Sequence, residues 1–253
     1  MLQGLAMDGK AVLVTGAASG LGKATALALG RAGAQVCVVD VNTGGLAETA
    51  RNIEAAGGTA LIHVADLAEP DACFASVLAA VAQFGRLDAL CNVAGIIRMS
   101  NTPEMAVTDW GKTIAINLSA PFHLIQAAIP HLLETEGAVV NVTSTAAFIG
   151  EAYAAAYCAS KAGLLNLTKS LAMEYIHKPI RFNAVAPGGM ATAITEGFVL
   201  PDGADYALIQ RFSGMRGLVE VGDVADMIAF LASPAASGYH GACITIDKGI
   251  TAG

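Results

Sequence analysis

The sequence has few charged residues and few aromatic ones. Of its 253 residues, 14% are charged and 6% are aromatic, whereas 55% are hydrophobic. Despite this apolar composition, no uninterrupted apolar run reaches the roughly 18 residues of a membrane-spanning helix. No basic segment leads into a long apolar stretch near the N-terminus, so we expect neither a membrane protein nor a secretory signal. The composition favours strands buried on both faces, with or without an additional oligomer interface.

Cysteine is scarce and odd in number. The chain has five cysteines and no C-x-x-C spacing, so neither a disulfide framework nor a zinc site is expected. Most lie in apolar runs, where cysteine acts as a small core residue, and this favours a reducing cytoplasm. The acidic residues form no metal-ligand cluster, so no metal is predicted. The formal net charge of −7 works against nucleic acid and anionic membranes as partners.

Short β-branched runs alternate with longer stretches of helical character. The predicted strands are residues 11–15, 35–40, 59–65, 87–92, 138–144, 180–186 and 242–246. Most are nearly continuous apolar runs, which is typical of parallel strands covered by helices on both faces. We therefore predict an α/β fold, a Rossmann-like doubly wound parallel sheet, in a single catalytic domain spanning residues 1–253. Residues 188–222 lack a clear strand, and we interpret them as a substrate-binding loop or lid.

Small or polar residues follow the predicted strands. Ligands bind along the carboxyl edge of an open α/β sheet, so these residues are expected to face one crevice. They are Thr15 with Gly16, Asp40, Asp66, Asn92, Ser144, and Pro187 with Gly188.

A glycine-rich segment follows the first strand and precedes a predicted helix. It contains Gly16, Gly20 and Gly22. Glycines there permit a tight turn and let a pyrophosphate approach the backbone, while the helix N-terminus offers free N–H groups. The position between strand and helix predicts a dinucleotide site.

Asp40 closes the second strand, 18 residues after Gly22. A carboxylate there can accept hydrogen bonds from the ribose hydroxyls of NAD and would repel the 2′-phosphate of NADP. Neither Ser19 nor Val41 offers a compensating positive charge. The predicted cofactor is therefore NAD.

Tyr157 and Lys161 are four residues apart in a helical segment and share one helix face. A neighbouring ammonium group, and the positive ring of NAD, would lower the tyrosine pKa from its ordinary value of about 10. Tyr157 could then exchange a proton with an alcohol near neutral pH. Ser144 could hydrogen-bond the substrate oxygen as charge develops there.

Asn117 lies four residues before Pro121 in a helical stretch. Proline has no N–H, so the carbonyl of Asn117 loses its usual partner. A water could bridge this carbonyl to Lys161 as a proton path. The alternative interpretation is an ordinary proline kink.

Together these motifs resemble the short-chain dehydrogenase/reductase family in its single-domain form of about 250 residues. The motifs are Thr15-Gly16-x-x-x-Gly20-x-Gly22, Asn92-Val93-Ala94-Gly95, Asn117, Ser144, Tyr157-x-x-x-Lys161, and Pro187-Gly188 followed by Thr192. The resemblance implies a sheet in the order 3-2-1-4-5-6-7, a catalytic tetrad and a homotetramer. The implied tetrad is Asn117, Ser144, Tyr157 and Lys161. Asp247-Lys248-Gly249 departs from the family's usual Asp-Gly-Gly, which puts the C-terminal turn in doubt, and a second Asn is more usual after Asn92.

The resemblance also implies how the cofactor is bound. Asp66 and Leu67 are expected at the adenine, and Lys161 at the nicotinamide ribose. The full set of expected contacts is Gly16, Ser19, Gly20, Leu21, Gly22, Asp40, Val41, Asp66, Leu67, Asn92, Ala94, Gly95, Tyr157, Lys161, Pro187, Gly188, Met190 and Thr192.

These features predict an NAD-dependent oxidoreductase that moves hydride between the cofactor and a secondary alcohol or ketone, with Tyr157 as general acid and base. One alternative is a 3-oxoacyl-carrier-protein reductase, disfavoured by Asp40 and by the negative net charge. Another is a non-enzymatic dinucleotide sensor, disfavoured by the intact Ser144, Tyr157 and Lys161. The candidate pocket walls suggest a moderately hydrophobic small-molecule substrate. They are Ile97, Met99, Ala146, Phe148, Glu151, Met190, Phe198 and Phe212.

The segment from residue 152 to 175 is apolar on nearly all sides. Such a helix is expected to be buried, either against a partner subunit or within one subunit beneath the lid.

Overall fold

The computed structural model describes residues 5–191, 199–212, 214 and 216–252. Within these ranges seven strands form one sheet. They are β1 (Ala11–Thr15), β2 (Gln35–Asp40), β3 (Thr59–Val64), β4 (Ala89–Asn92), β5 (Ala138–Val142), β6 (Arg181–Pro187) and β7 (Cys243–Ile246). All neighbouring strands pair in parallel, in the order β3-β2-β1-β4-β5-β6-β7. The predicted fold class and strand order are confirmed.

Helices connect the strands and cover both faces of the sheet. They are α1 (Gly20–Arg31), α2 (Thr43–Ala55), α3 (Pro70–Phe84), α4 (Val107–Ile114), α5 (Ala120–Glu134), α6 (Ala155–Glu174), α7 (Tyr206–Gln210) and α8 (Val221–Ala232). Val12 and Val14 of β1 join an apolar cluster with residues of α1, α2 and α8. Leu13, between them, joins a second cluster with residues of α3, α5 and α6. Alternate side chains of one buried strand therefore pack into two separate hydrophobic clusters, as the continuous apolar runs predict.

The hydrogen bonds just beyond β5 explain where this strand ends. Thr143 follows β5, and both its amide and its hydroxyl donate to the carbonyl of Val185, at 2.8 and 3.0 Å. Ser144 then caps a 3₁₀ turn over Thr145–Ala147 by accepting a hydrogen bond from the amide of Ala146 at 3.2 Å. β5 therefore stops two residues earlier than predicted, because this capped turn replaces the strand's ladder hydrogen bonds.

Helix α6 is buried along one side only. Leu164, Leu165 and Leu171 lie in the interior. On the other side Ala155, Ala159, Ala162 and Asn166 are exposed, and Met173 is 69% exposed. Burial of the whole helix within one subunit is therefore not observed. The interpretation that remains open is a partner subunit.

The predicted lid region contains the short helix α7 and an isolated parallel bridge between Met190 and Val219. Its described part is tied to the loop before α6, since the amide of Asp205 donates to the phenol oxygen of Tyr153 at 2.8 Å. Tyr153 itself has a left-handed backbone, with φ of +66°. Thr192 and Phe198, both named as candidate site residues, lie outside the described residues.

None of the helices in the described ranges is long and apolar enough to cross a bilayer. All five cysteines are free thiols.

Candidate active site

The glycine-rich loop packs too tightly for side chains at two positions. Gly16 has φ of +69°, and a Cβ there would lie 2.9 Å from the Cα of Ala94. A Cβ on Gly22 would lie 2.1 Å from the carbonyl oxygen of Gly16. No described side chain caps α1, because the hydroxyl of its N-cap Ser19 makes no capping bond. The first amides of α1 therefore remain available to an anionic group in the cleft.

Thr15 joins this loop to the segment after β4. Its buried hydroxyl oxygen accepts hydrogen bonds from the amides of Val93 and Ala94, both at 3.0 Å. These two bonds fix one wall of the cleft against the other. In the sequence, Thr15 ends the first strand and begins the glycine motif, but neither position predicts these two bonds. A hydroxyl residue directly before Gly16 is the one signal of this role.

The carboxylate of Asp40 is held by two backbone amides. One oxygen accepts from Ala18 at 3.2 Å and the other from Asn42 at 3.0 Å. A carboxylate offers about four acceptor positions, so each oxygen keeps capacity for a further donor. Among the described residues that line the cleft, Lys161 is the only Lys or Arg. No cation near Asp40 is therefore available within this lining to offset its charge.

Ser144, Tyr157 and Lys161 converge at the opposite end of the same cleft. Ser144 lies just beyond β5, while Tyr157 and Lys161 lie on successive turns of α6. Ser144 and Tyr157 form a side-chain hydrogen bond. The ammonium nitrogen of Lys161 lies 5.7 Å from the centre of the Tyr157 ring and donates to the carbonyl of Val142 at 2.9 Å.

Burial sets the ionisation of both groups. It raises the pKa of Tyr157 to about 12, against a smaller lowering by the hydrogen bond with Ser144. Negative charge on Glu151 raises it further. Burial also lowers the pKa of Lys161 to about 8. In the chain alone, removal from water therefore keeps the pKa of Tyr157 above its ordinary value, and the lowering expected with a bound cofactor stays a prediction.

The backbone is irregular around Asn117, as Pro121 predicts. Residues Ala115–Ser119 form a π-helical turn between α4 and α5. The amide of Ala120 donates to the carbonyl of Ala115, five residues back. A proton path through the carbonyl of Asn117 stays a prediction.

The side chain of Asn117 has a role that sequence reasoning missed. Its amide group accepts from the backbone N–H of Ile96 at 2.8 Å and donates to the carbonyl of Ile96 at 2.8 Å. It also donates to the hydroxyl of Ser160 on α6 at 3.1 Å. A Cβ on Gly95 would lie 3.3 Å from the nitrogen of Lys161 and 3.5 Å from the side-chain oxygen of Asn117. Asn117 therefore holds the loop after β4 beside Lys161.

Most of the expected cofactor contacts line this cleft. Those found there are Gly16, Ser19, Gly20, Leu21, Gly22, Asp40, Val41, Asp66, Leu67, Ala94, Gly95, Tyr157, Lys161, Pro187, Gly188 and Met190. Asn92 is not among them. It is buried below the cleft, where its amide nitrogen donates to Asn141 at 2.8 Å. Its side-chain oxygen has no hydrogen-bond partner among the described residues.

The expected substrate walls are less uniformly placed. Met190 lines the cleft, Ala146 is buried, and Phe148 is 46% exposed. Ile97, Met99, Glu151 and Phe212 are half-buried. The cleft also has lining residues that sequence reasoning did not name as contacts. They are Ala65, Val93, Ile96, Ile116, Val142 and Thr143.

The C-terminal turn packs against the nicotinamide end predicted for the cleft. A Cβ on Gly188 would lie 3.0 Å from the Cα of Asp247. Asp247 accepts hydrogen bonds from the amides of Gly249 and Thr251, each at 2.9 Å. Lys248, where the family usually has glycine, adopts a left-handed φ of +50° and donates to the carbonyl of Leu218. The turn thus forms despite the lysine.

Comparison with known proteins identifies the class. The family model described as "Enoyl-(Acyl carrier protein) reductase" matches residues 16–251. D-threitol dehydrogenase of Mycolicibacterium smegmatis is 36% identical over 246 residues, which are 97% of this chain and 94% of that protein. The 3-oxoacyl-(acyl-carrier-protein) reductase of Thermotoga maritima is 37% identical over 246 residues, which are 96% of this chain and 98% of that protein.

Solved structures agree with this assignment. A short chain dehydrogenase from Burkholderia cenocepacia J2315, in complex with NADP, is 32% identical with a TM-score of 0.87. The match covers 97% of this chain and 99% of that one. The chain belongs to the short-chain dehydrogenase/reductase family. It is an oxidoreductase that acts on CH–OH groups.

Proposed function

We propose that this enzyme uses NAD(H) to interconvert a secondary alcohol and its ketone, with Tyr157 as general acid and base. The observation that carries the proposal is the convergence of Ser144, Tyr157 and Lys161 in the same cleft as the glycine loop and Asp40. A non-enzymatic dinucleotide sensor would not need Ser144, Tyr157 and Lys161. Because these three side chains meet in one part of the cleft, a catalytic function is favoured over a sensor.

The cleft residues fit a dinucleotide. The uncapped N-terminus of α1 and the crowded Gly16 and Gly22 suit a pyrophosphate lying against the backbone. The spare acceptor positions on Asp40 suit the hydroxyls of a ribose. When bound, NAD supplies the acceptor for the hydride that leaves the carbinol carbon.

Ser144, Tyr157 and Lys161 handle the proton. The Ser144 oxygen accepts from the amide of Ala146, so its own hydrogen, which bonds Tyr157 in the chain alone, can be donated to the substrate oxygen. Tyr157, as phenolate, takes the hydroxyl proton of the alcohol, so that carbon and oxygen are left as a ketone. In the reverse direction Tyr157 returns that proton to the ketone oxygen. Lys161 keeps a positive charge within reach of the phenolate.

The proton transfer needs the pKa of Tyr157 to fall from its value in the chain alone. Burial raises that pKa to about 12. Positive charge at the nicotinamide end of the cleft would act in the opposite direction. We infer that Tyr157 can act as a base only after the cofactor has bound.

The choice of NAD over NADP rests on Asp40. The Burkholderia cenocepacia relative was solved with NADP, so the fold by itself does not select NAD. In this chain Asp40 would face a 2′-phosphate, and the exposed Val41 beside it has no charge.

A second candidate function, reduction of a 3-oxoacyl carrier protein, is favoured by the Thermotoga maritima relative. Asp40 and the net charge of −7 favour the alcohol dehydrogenase over it.

The test measures initial rates of reduced-cofactor formation on a panel of secondary alcohols with NAD and with NADP. We expect wild type to prefer NAD by at least about tenfold in kcat/KM, and Asp40→Ala to narrow this ratio by about tenfold or more. Asp226→Ala, at an exposed position on α8, is the matched control and should leave the ratio unchanged. A wild-type enzyme that is faster with NADP would refute the assignment.

We further propose a homotetramer in the cytoplasm. Trp110 on α4, Phe122 on α5 and Met173 on α6 are large apolar side chains exposed on the single subunit. Their burial between subunits would remove apolar surface from water. Light scattering should give a mass of four chains. The free thiols are consistent with a reducing compartment.

A further inference from the structure

A chain of hydrogen bonds runs from the loop after β4 to the backbone of Tyr157. The amide of Ile96 donates to the side-chain oxygen of Asn117 at 2.8 Å, and the side-chain nitrogen of Asn117 donates to the hydroxyl oxygen of Ser160 at 3.1 Å. The hydroxyl of Ser160 in turn donates to the carbonyl of Tyr157 at 2.7 Å. These three bonds point the same way, and hydrogen bonds in such a chain strengthen one another.

The backbone around Asn117 is irregular at the middle of this chain. Residues Ala115–Ser119 form a π-helical turn, and Asn117 is its central residue. Single π turns inside α-helices are frequent at functional sites. From this turn, the side chain of Asn117 bonds both the loop after β4 and helix α6.

Ser160 lies between Tyr157 and Lys161 on α6. It is three residues after Tyr157 and directly before Lys161, and it is fully buried. Serine hydroxyls inside helices often bond a carbonyl of the preceding turn, and such bonds bend the helix locally. Because the same hydroxyl also accepts from Asn117, the turn of α6 that carries Tyr157 is tied to a separate segment of the chain.

The amide group of Asn117 is held in one orientation. Its nitrogen has two hydrogens, of which one is donated to the carbonyl of Ile96 and the other to Ser160. Asn117 and Ser160 are both 0% exposed. Without the serine hydroxyl, one N–H of Asn117 would lose its partner in the interior, and an unpaired buried donor is costly.

The two ends of the chain belong to the walls of the cleft. Ile96 lines the cleft next to Gly95, in the loop expected to contact the cofactor, and Tyr157 lines it as the proposed acid and base. Hydride transfer needs the substrate carbon at the cofactor while the substrate oxygen is at Tyr157. The spacing between these two walls therefore affects the rate of the reaction.

We propose that Ser160 is a positioning residue, which fixes Tyr157 relative to the cofactor through Asn117. Ser160 is not among the described residues that line the cleft, so it acts through its two hydrogen-bond partners. This inference rests on the proposed function, in which Tyr157 is the acid and base. It adds a residue outside the tetrad that sets turnover without contacting the substrate.

The decisive test compares Ser160→Thr with Ser160→Val on the secondary alcohol that wild type oxidises fastest. The two side chains have nearly the same shape, but only threonine keeps a hydroxyl that can bond the preceding turn. We expect kcat to be at least about tenfold higher for Ser160→Thr, because misplacing a catalytic group by about 1 Å can cost up to about a hundredfold. KM for the alcohol and Kd for NADH should differ less than about threefold between the two variants, because neither ligand contacts this residue.

Two further measurements separate positioning from folding. Rates are expressed per NADH-binding site, so that an unfolded fraction does not lower kcat, and thermal unfolding is measured for every variant. Ser160→Ala should lower kcat about tenfold or more with the same small changes in KM and Kd. Ser170→Ala makes the same substitution at an exposed position of α6 and is the matched control, with no change expected.

A double-mutant cycle tests the route through Asn117. In an Asn117→Ala background, adding Ser160→Ala should change kcat by no more than about twofold, because the partner through which Ser160 acts is already gone. If Asn117→Ala is too slow to measure, the comparison of threonine with valine decides the test. If the added methyl group prevents folding, the comparison of Ser160→Ala with wild type decides it.

The possible failures are distinguishable. Equal kcat in Ser160→Thr and Ser160→Val overturns this inference and leaves the proposed function standing. A loss confined to the number of NADH-binding sites or to the thermal midpoint also overturns it, since a role in folding then suffices. So does a full loss from Ser160→Ala in the Asn117→Ala background. A wild type that oxidises no alcohol with NAD or NADP overturns the proposed function, and this inference with it.

Discussion

The two edges of the sheet carry similar polar groups but bond them differently. At the amino edge, buried Asp88 accepts two hydrogen bonds from Arg86, each at 2.7 Å, and one from the amide of Ala11 at 2.9 Å. Arg181, at the start of β6, donates to three backbone carbonyls. At the carboxyl edge, Lys161 has one hydrogen bond, to Val142, among the described contacts.

The difference separates stability from function. A buried charge that is fully hydrogen-bonded holds its neighbours in place and has little capacity for a ligand. A buried polar group with spare capacity is costly in the free protein and is satisfied when a ligand binds. Substitutions of the charged groups at the amino edge should therefore change the free energy of unfolding. Substitutions of Ser144, Tyr157 or Lys161 at the carboxyl edge should change turnover.

The largest effect is expected for Tyr157→Phe. It removes the proposed proton donor and acceptor, so kcat should fall by about a thousandfold, within the range for loss of a general acid or base. NADH binding and the midpoint of thermal unfolding should stay close to wild type, because the ring is kept. Tyr239→Phe, at a partly exposed tyrosine, is the matched control. Equal activity in Tyr157→Phe and wild type would contradict the mechanism.

An intermediate effect, on stability alone, is expected for Asp88→Asn. Burial opposes ionisation of Asp88, but hydrogen bonds from Arg86, Ala11 and Lys10 outweigh it and hold its pKa below the usual 3.8. The variant should lose about 2–3 kcal/mol of unfolding free energy at pH 7, as expected for a broken buried charge cluster. Turnover should change little, because the cluster is at the opposite edge from Tyr157.

The pH dependence of this loss has a defined sign. Because the folded pKa of Asp88 is lower than the unfolded one, its stabilisation is complete above the unfolded value and is lost as the pH falls through the folded value. Urea denaturation at pH 7 and pH 3 should show the gap between wild type and Asp88→Asn closing in acid. Asp226→Asn, at an exposed position in the middle of α8, should show no such gap. A gap that widens in acid would be the wrong sign.

The smallest effect on stability is expected for substitutions of Lys248. This residue lies at the carboxyl edge, in the strained turn after β7. Its φ of +50° is unfavourable for any residue with a Cβ. Lys248→Gly relieves this strain, whereas Lys248→Ala keeps it, and both lose the hydrogen bond to Leu218. The glycine variant should therefore be about 1 kcal/mol more stable than the alanine variant. Equal stability of the two variants would mean that the turn stores no such strain.

The strands could be predicted because their signal is local. Continuous apolar runs such as residues 11–15 are consistent with only a few kinds of element. The strand order came from the family resemblance, since pairing is decided by contacts between distant segments. The C-terminal end of β5 could not be predicted, because it depends on Thr143 bonding to Val185 across the sheet and on the turn that Ser144 caps.

The site shows the same division. The residue types at Asp40, Tyr157 and Lys161 predict their roles, and the topology brings them into one cleft. The clamp formed by Asn117 joins residues 21 positions apart, and the bonds of Thr15 span 78 and 79 positions. Such pairings have no local pattern. The pKa of Tyr157 was expected to fall because the charge of Lys161 is visible in the sequence, whereas the depth of burial is not.

One amide side chain sets how independently two parts of this enzyme can vary. Because Asn117 binds both backbone groups of Ile96, neither of the two peptide units that flank this residue can rotate without losing a hydrogen bond. The loop that ends at Gly95 can therefore keep its position when the residues that follow Ile96 change. If Ile97 and Met99 are substrate walls, as the sequence predicts, exchanges there should reshape the space offered to a substrate while the distance from Gly95 to Lys161 stays the same. An engineer seeking a new substrate range has freedom at those two positions and none at Asn117.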